Sequence, residues 1–185
     1  MKAGVLALQG DFREHAQMFA ECGATPVLVR SADELAAVDC LAIPGGESTA
    51  IGRLATVYGL VEPIRQRIFD GMPVFGTCAG MIVLASEVEG GSPLLGALDV
   101  AVERNGYGRQ VDSFEAGVEV RGVGSVRAVF IRAPRVTRVG TGVETLAMLG
   151  GQPVVVQEGK VLAASFHPEM AGDPRLHEHL LALTG

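Results

Sequence analysis

The sequence has no surplus of positive charge. Its 15 Lys and Arg residues face 21 Asp and Glu, a formal net charge of −6. No stripe of Lys or Arg stands out against that balance, which argues against nucleic-acid binding, because phosphate backbones are held by clustered cations. Cysteine is scarce and odd in number, limited to Cys22, Cys40 and Cys78. Such a set cannot build the disulfide framework of a small secreted domain and fits a reducing cytosol. The N-terminal apolar run stops at Leu8, before Gln9-Gly10-Asp11, too short for a signal-peptide core or a membrane span. There is no internal repeat, no low-complexity tract and no linker. At 185 residues with 48% apolar residues, a disordered or fibrous chain is excluded and a substantial core is affordable. The expectation is one soluble, cytoplasmic domain spanning residues 1–185, with no membrane partner.

What is present concentrates in one segment. Pro73-Val74-Phe75 reads as a strand entering Gly76-Thr77-Cys78-Ala79-Gly80, and Met81-Ile82-Val83-Leu84-Ala85 leaves it as an apolar helix. This is the strand–turn–helix layout of a nucleophile elbow, with cysteine in place of serine. The glycines permit a sharp turn, and a helix N-terminus favours thiolate over thiol. A buried cysteine beside a loop is the bland alternative. Near the other end, Val161–Phe166 reads as a strand that runs into His167-Pro168-Glu169. A cysteine nucleophile needs a base, and the base needs a third group to fix its tautomer. Pro168 holds His167 extended at the strand end, and Glu169 can fold back towards its imidazole. The alternative is a surface histidine beside a solvated glutamate. Cys40–Ile43 is a buried-strand run followed by Pro44-Gly45-Gly46-Glu47-Ser48-Thr49. Paired glycines after a strand expose N–H donors of the kind an oxyanion hole requires, and Ser48 or Thr49 is placed to cap the next helix. The loop lacks the spacing of a P-loop.

The coarse pattern alternates strand and helix through the first half. Strands are predicted at 3–8, 26–29, 39–43 and 73–75. Helices are predicted at 11–22, with Phe12, Ala16, Phe19 and Ala20 inward, after a Ser31–Glu34 capping box, and near 49–57 and 61–69. Continuous apolar strands between helices imply a mostly parallel sheet covered on both faces, with catalytic groups at the carboxyl ends of its strands. From residue 97 the pattern becomes strand-rich, at 98–103, 114–120, 125–131, 144–149, 153–157 and 160–166, with a hairpin turn at Glu158-Gly159 and a closing helix at 174–184. The second half therefore adds antiparallel strands.

These motifs resemble the triad class (class I) of glutamine amidotransferase domains, and within it the family of glutaminase subunits of pyridoxal 5′-phosphate synthases. Beyond the elbow, His167-Pro168-Glu169 and the Gly45–Thr49 loop, the likeness is carried by Gly4–Gly10, by Glu103–Phe114 and by Phe130-Ile131-Arg132-Ala133-Pro134. It covers nearly the whole chain in register. It implies a three-layer α/β class I amidotransferase-like fold and hydrolysis of L-glutamine to L-glutamate and ammonia by Cys78, His167 and Glu169. It implies glutamine contacts at Gly46, Glu47, Ser48, Arg104, Ile131 and Arg132, and oxyanion donors at Gly46 and Ala79. It also implies a separate pyridoxal 5′-phosphate synthase subunit as ammonia acceptor, with Gln9 and Gly10 coupling the two. Nothing in the pattern implies a metal or a bound cofactor. Glutaminases serving other synthases, such as imidazole-glycerol-phosphate or anthranilate enzymes, and a non-catalytic module on the same fold are the alternatives.

Other residues read more plainly. His177 and His179, two apart on the last helix, point to different faces, which does not suit a metal site. His15 falls on the polar face of the first helix and reads as a surface residue. Cys22 and Cys40, without elbow or base, read as core. Arg104, Arg109 and Asp112 share a Gly-containing loop after a strand, either a solvated turn or a substrate contact.

Overall fold

The computed structural model of the chain describes residues 1–104, 106 and 113–185. Arg109 and Asp112 lie outside the described residues. In chain order the strands are β1 (Lys2–Leu6), β2 (Thr25–Val29), β3 (Cys40–Ile43), β4 (Val74–Thr77), β5 (Ala85–Val88), β6 (Leu98–Glu103), β7 (Ser113–Val120), β8 (Gly124–Ile131), β9 (Arg135–Val139), β10 (Glu144–Leu149), β11 (Gln152–Glu158) and β12 (Val161–Ala164). The helices are α1 (Phe12–Glu21), α2 (Ala32–Ala36), α3 (Ser48–Val57), α4 (Val61–Phe69), α5 (Ala79–Leu84) and α6 (Arg175–Ala182), with a 3-10 turn at Glu169–Ala171.

Seven strands form one sheet in the order β10-β11-β12-β4-β3-β1-β2. The five from β12 to β2 run parallel, and β11 and β10 continue the sheet antiparallel. Side chains on a strand alternate between faces, and the apolar runs divide accordingly. Leu6, Leu41, Ile43, Val74 and Ala163 pack on one side against Leu35, Ile51, Ile64 and Met81 from α2–α5. Val5, Ala42, Phe75, Leu162 and Ala164 pack on the other against Phe19 of α1 and Leu176 and Leu180 of α6. Both faces of the parallel strands are buried, so these strands read as unbroken apolar stretches rather than as alternating ones. The expected α/β fold with a mostly parallel central sheet and added antiparallel strands is the fold observed.

The differences are local. β5 and β9, absent from the expected strands, join β6 in a three-stranded sheet. The pairings β5–β6 and β6–β9 both carry register shifts, and Arg135 and Arg138 on β9 reach Glu103 and Glu87. Charged, irregular strands leave no clean period-2 signal. The Glu158-Gly159 turn falls one residue later, because Glu158 still pairs with Val161 and Gly159-Lys160 makes the turn. On α1, Phe19 is buried and Phe12 and Ala16 pack half-buried against the same core, as expected, but His15 and Met18 are buried with them and Ala20 is exposed. His15 is fully buried, which corrects its expected surface position. It stands one helical turn before Phe19 and meets Phe75 edge-on at 6.2 Å. Cys40 is core, whereas Cys22 at the end of α1 is only partly buried.

Candidate active site

Four loops at the carboxyl ends of parallel strands converge on one cavity of about 860 Å³, the edge where open α/β sheets bind ligands. Residues 9–11 follow β1, Gly45–Glu47 follow β3, Cys78 follows β4, and His167 lies three residues past β12. Gln9, Gly10, Gly46, Glu47, Ser48, Cys78, Ala79, Arg104, Ile131, Arg132 and His167 all line that cavity, whereas Glu169 lies behind His167 and is 4% exposed.

Cys78 joins β4 directly to α5. Its φ of 48° and ψ of −104° lie in a region that a residue with a Cβ adopts only under strain. The strain is held by packing around the turn. The Cys78 N–H donates to Ala164 O at 2.9 Å. A Cβ on Gly80 would collide with the backbone oxygen of Ile43, and one on Gly76 would lie 2.6 Å from the Gly80 carbonyl carbon. The glycines of the elbow are therefore required by close approach of the helix to β3 and β4. The Cys78 thiol faces Ile131 O at 3.8 Å and is a hydrogen-bond partner of the His167 imidazole. Arg132, the next residue, has a φ of 43°, a second strained backbone at the cavity wall.

His167 is fixed by its backbone, whose N–H donates to Val129 O at 2.8 Å. Its Nδ1 lies 2.8 Å from Glu169 Oε1 and 2.8 Å from Asp11 Oδ2. Asp11 is the residue that the sequence reading missed. Its position immediately after Gln9-Gly10, at the end of β1, brings it to the same sheet edge as the other loops. Burial disfavours the imidazolium, but hydrogen bonds to Asp11, Cys78 and Glu169 outweigh it and push His167 up to about 12. The two carboxyl groups part in opposite directions. Burial would raise Asp11, yet its hydrogen bonds with His167 and Glu169 hold it well below the ordinary carboxylate range. Burial raises Glu169 to about 8, against the pull of His167 and with the help of the Asp11 charge. The neutral arrangement is thus an Asp11 carboxylate, a charged His167 and a Glu169 that holds its proton more tightly than usual, as when two carboxyls share one site. The donor atoms of Asp11, His167 and Glu169 lie within 4.8 Å of one another, near enough for a cation. A proton on Nδ1 shared between the two carboxyls already fills that place.

The second loop is clamped from β1. Gln9 Oε1 accepts the Glu47 N–H at 2.8 Å, and Asp11 N–H donates to Gly45 O at 3.3 Å. Gly10 has a φ of 97°, and a side chain there would run into Gly45 O. The expected helix cap at Ser48 or Thr49 is instead Glu47, whose carboxylate accepts from the N–H groups of Thr49 at 2.9 Å and Ala50 at 2.7 Å. Those bonds lower its pKa, as suits a negative charge on a helix N-terminus. Arg104, which lines the cavity, donates to Thr49 Oγ1 at 3.1 Å.

The other two cysteines lack these surroundings. Burial first, then nearby carboxylates, raises the Cys22 thiol to about 11 and the Cys40 thiol to about 12.

The sequence matches the SNO glutamine amidotransferase family over residues 5–183. It is 58% identical over 181 residues to the pyridoxal 5′-phosphate synthase subunit PdxT of Frankia casuarinae, covering 95% of this chain and 91% of that one. It is 55% identical over 185 residues to the protein of the same name from Thermus thermophilus, covering 98% and 97%. A crystal structure described as a glutamine amidotransferase superposes with a TM-score of 0.95 at 53% identity, over 99% of this chain and 98% of the other.

Proposed function

Because the chain belongs to the SNO glutamine amidotransferase family, we propose that it is the glutaminase subunit of a pyridoxal 5′-phosphate synthase, hydrolysing L-glutamine to L-glutamate and ammonia for a separate synthase subunit. The observation that carries this reading is the strained Cys78 elbow against an imidazole whose far nitrogen bears two carboxyl groups. That is a nucleophile with a base, and a base with its orienting group.

In this reading Cys78 attacks as a thiolate, with His167 beside it as the imidazolium. The sulfur attacks the carboxamide carbon of glutamine, and the developing oxyanion is met by the N–H groups of Gly46 and Ala79. His167 Nε2–H gives its proton to the leaving nitrogen, the C–N bond breaks and ammonia departs, leaving a glutamyl thioester on Cys78. The now neutral His167 takes a proton from water, whose oxygen attacks the thioester carbon. The C–S bond breaks, glutamate leaves, and thiolate and imidazolium are restored. Throughout, Nδ1–H stays on the Asp11–Glu169 side. Arg104, with Glu47 and Ser48 on the loop and Ile131 and Arg132 in the same cavity, meets the amino-acid end of glutamine. A cation and an anion in one cavity suit its carboxylate and ammonium groups.

Ammonia at neutral pH is mostly ammonium and a poor nucleophile, so this chemistry is useful beside an acceptor. The acceptor is a second chain that joins ammonia to a pentose phosphate and a triose phosphate. Gln9 and Gly10 hold the loop bearing Gly46 and lie at the cavity mouth, which suits them to couple docking to the oxyanion site. Free thiols throughout the chain fit a cytoplasmic protein. The test is ammonia release from glutamine by the wild type and by Cys78→Ala, each with purified synthase. Release by the wild type alone of the two supports the reading, and equal release by both overturns it. Unchanged activation of Gln9→Ala by the synthase would remove the coupling role.

A further inference from the structure

Behind Glu169, on the side away from His167, a line of buried polar groups runs between α1 and α6 that the glutaminase chemistry above does not use. His15, Thr77 and His177 are each fully buried. His177 Nε2 lies 2.8 Å from His15 Nδ1, and His15 Nε2 lies 3.0 Å from Thr77 Oγ1. The Thr77 hydroxyl donates to Glu169 Oε1 over a long 3.5 Å, and His15 Nε2 is 3.6 Å from that same oxygen. The far end of the line, His177 Nδ1, has no hydrogen-bond partner among the described residues.

These contacts choose one direction. If His15 Nδ1 donated to His177, then His177 would carry its proton on the unpartnered Nδ1, a buried orphan N–H. His15 Nε2 would also turn a lone pair towards the Glu169 carboxylate, and Thr77 would have to give its proton to His15 rather than to Glu169. In the opposite direction each cost disappears. His177 Nε2–H donates to His15 Nδ1, His15 Nε2–H donates to Thr77 Oγ1, and Thr77 O–H donates to Glu169. Only a bare ring nitrogen is left over, and an unmet acceptor is more readily tolerated than an unmet donor. We propose that His177, His15 and Thr77 form a one-way buried chain of hydrogen bonds whose donors all point at Glu169, making these three positioning residues for the carboxyl group that orients His167. The inference rests on the glutaminase reading of the site.

The chain needs both imidazoles neutral. Burial, the largest influence on each, lowers His15 to about 4 and His177 well below its ordinary value. Two neutral rings in line behind a carboxylate have a specific use here. Glu169 is buried, its Oε2 has no partner among the described residues, and the negative Asp11 faces it from β1's end. Against these, aligned donor dipoles favour the ionised carboxylate without adding a charge that would compete with His167 for it. The groups facing Glu169 are then His167 and Asp11 on the cavity side and Thr77, His15 and, through it, His177 on the other. The position also explains why a histidine sits on the inward face of α1 at all.

Two measurements test this, one of them independent of activity. In the free protein with nitrogen-15-labelled histidine, the ring couplings of His15 and His177 should show the Nε2–H tautomer in both, unchanged from pH 5 to 9. An Nδ1–H tautomer in either ring overturns the direction. In the complex with synthase, Thr77→Val keeps the side-chain shape and removes the donor. It should shift the acid limb of the glutaminase kcat/KM profile upwards by about one pH unit, the order expected for one lost bond to a carboxylate. At pH 7 kcat should fall about tenfold with KM little changed, and Thr77→Ser should restore both. His15→Phe, which refills the space between Phe75 and His177, should move the limb in the same sense. A Thr77→Val profile that superposes on the wild type overturns the proposal. So does a drop in activity with no shift of the limb and no rescue by Ser, which is what a merely structural role would give. Wild-type complex without glutaminase activity would instead refute the proposed function, and the ring couplings would still decide the direction of the chain.

Discussion

Replacing Asp11 with Asn should flatten the dependence of stability on pH, and the reason lies in how three groups share their protons. In the native protein burial raises Glu169 to about 8 from an ordinary 4.5, and the Asp11 carboxylate, which touches His167 Nδ1 at 2.8 Å, adds to that rise. An acid whose pKa is raised on folding binds more protons native than unfolded between those two values, so stability declines as pH rises through that window. The interval from 4.5 to about 8, at about 1.4 kcal/mol per pH unit, sets a ceiling of about 5 kcal/mol on the decline from this one group. Asp11→Asn keeps the shape and removes the charge. Burial still raises Glu169, but without the neighbouring charge it should ionise at lower pH and pair with His167 alone, and part of the decline between pH 5 and 8 should vanish. His167 works in the same sense over a different window. Its pKa is raised on folding, so its contribution is complete below 6.5 and is lost as pH climbs towards about 12. Losing one of its partners lowers that upper limit, so the contribution is smaller and its loss ends at lower pH. Urea titrations of wild type and variant at pH 5, 6, 7 and 8 read the effect directly, and their difference cancels every group that the substitution does not touch. The expected result is a wild type that falls by about 1–2 kcal/mol more than the variant across that range, a fraction of the ceiling because burial remains. Glutaminase activity should survive within about tenfold, because Glu169 remains to orient the base. Parallel stability curves would show that the Asp11 charge adds nothing to the rise of Glu169.

An electrophilic glutamine analogue such as diazo-oxo-norleucine should label Cys78 and spare Cys22 and Cys40, whose thiols are held near 11 and 12; peptide mass mapping decides, and adduct on either of the latter misplaces the nucleophile. His167→Asn should abolish ammonia release while leaving synthase binding intact by size-exclusion chromatography, since the imidazole moves the proton and is itself buried at 6% exposure. Cys78→Ala with synthase should make pyridoxal phosphate from ammonium salt but not from glutamine. Gly80→Ala should destabilise the fold by about 2 kcal/mol or more, read by urea denaturation, because its methyl would meet the Ile43 carbonyl with no flexible group to yield.

The legible parts of this fold and site were those in which one local rule sufficed. Strands β1, β3, β4 and β12 are buried on both faces and announce themselves as apolar runs. The elbow requires Gly76 and Gly80 for reasons of close approach, and His167 and Glu169 are two residues apart, so a short peptide carries both. What escaped the sequence depends on contacts between distant segments. Asp11 belongs to the site because β1 lies beside β3 in the sheet, which sets residue 11 against residue 167 across 156 positions of chain. Ser48 and Thr49 were natural caps by residue type, but the Glu47 carboxylate could reach two N–H groups at once. His15 shows the limit most clearly. On a helix whose neighbours include Arg13, Glu14 and Gln17, a histidine reads as one more polar side chain, and hydrophobic periodicity alone places it outside. It is inside because α6 supplies His177 and β4 supplies Thr77, so that its two nitrogens are met at 2.8 and 3.0 Å. A buried polar residue is tolerated where its partners are complete, and completeness is a property of the assembled fold. The same condition makes such residues informative once seen. A core position that a leucine could fill, given instead to a neutral imidazole aimed along a line of donors at Glu169, points back to the chemistry of the carboxyl group it serves.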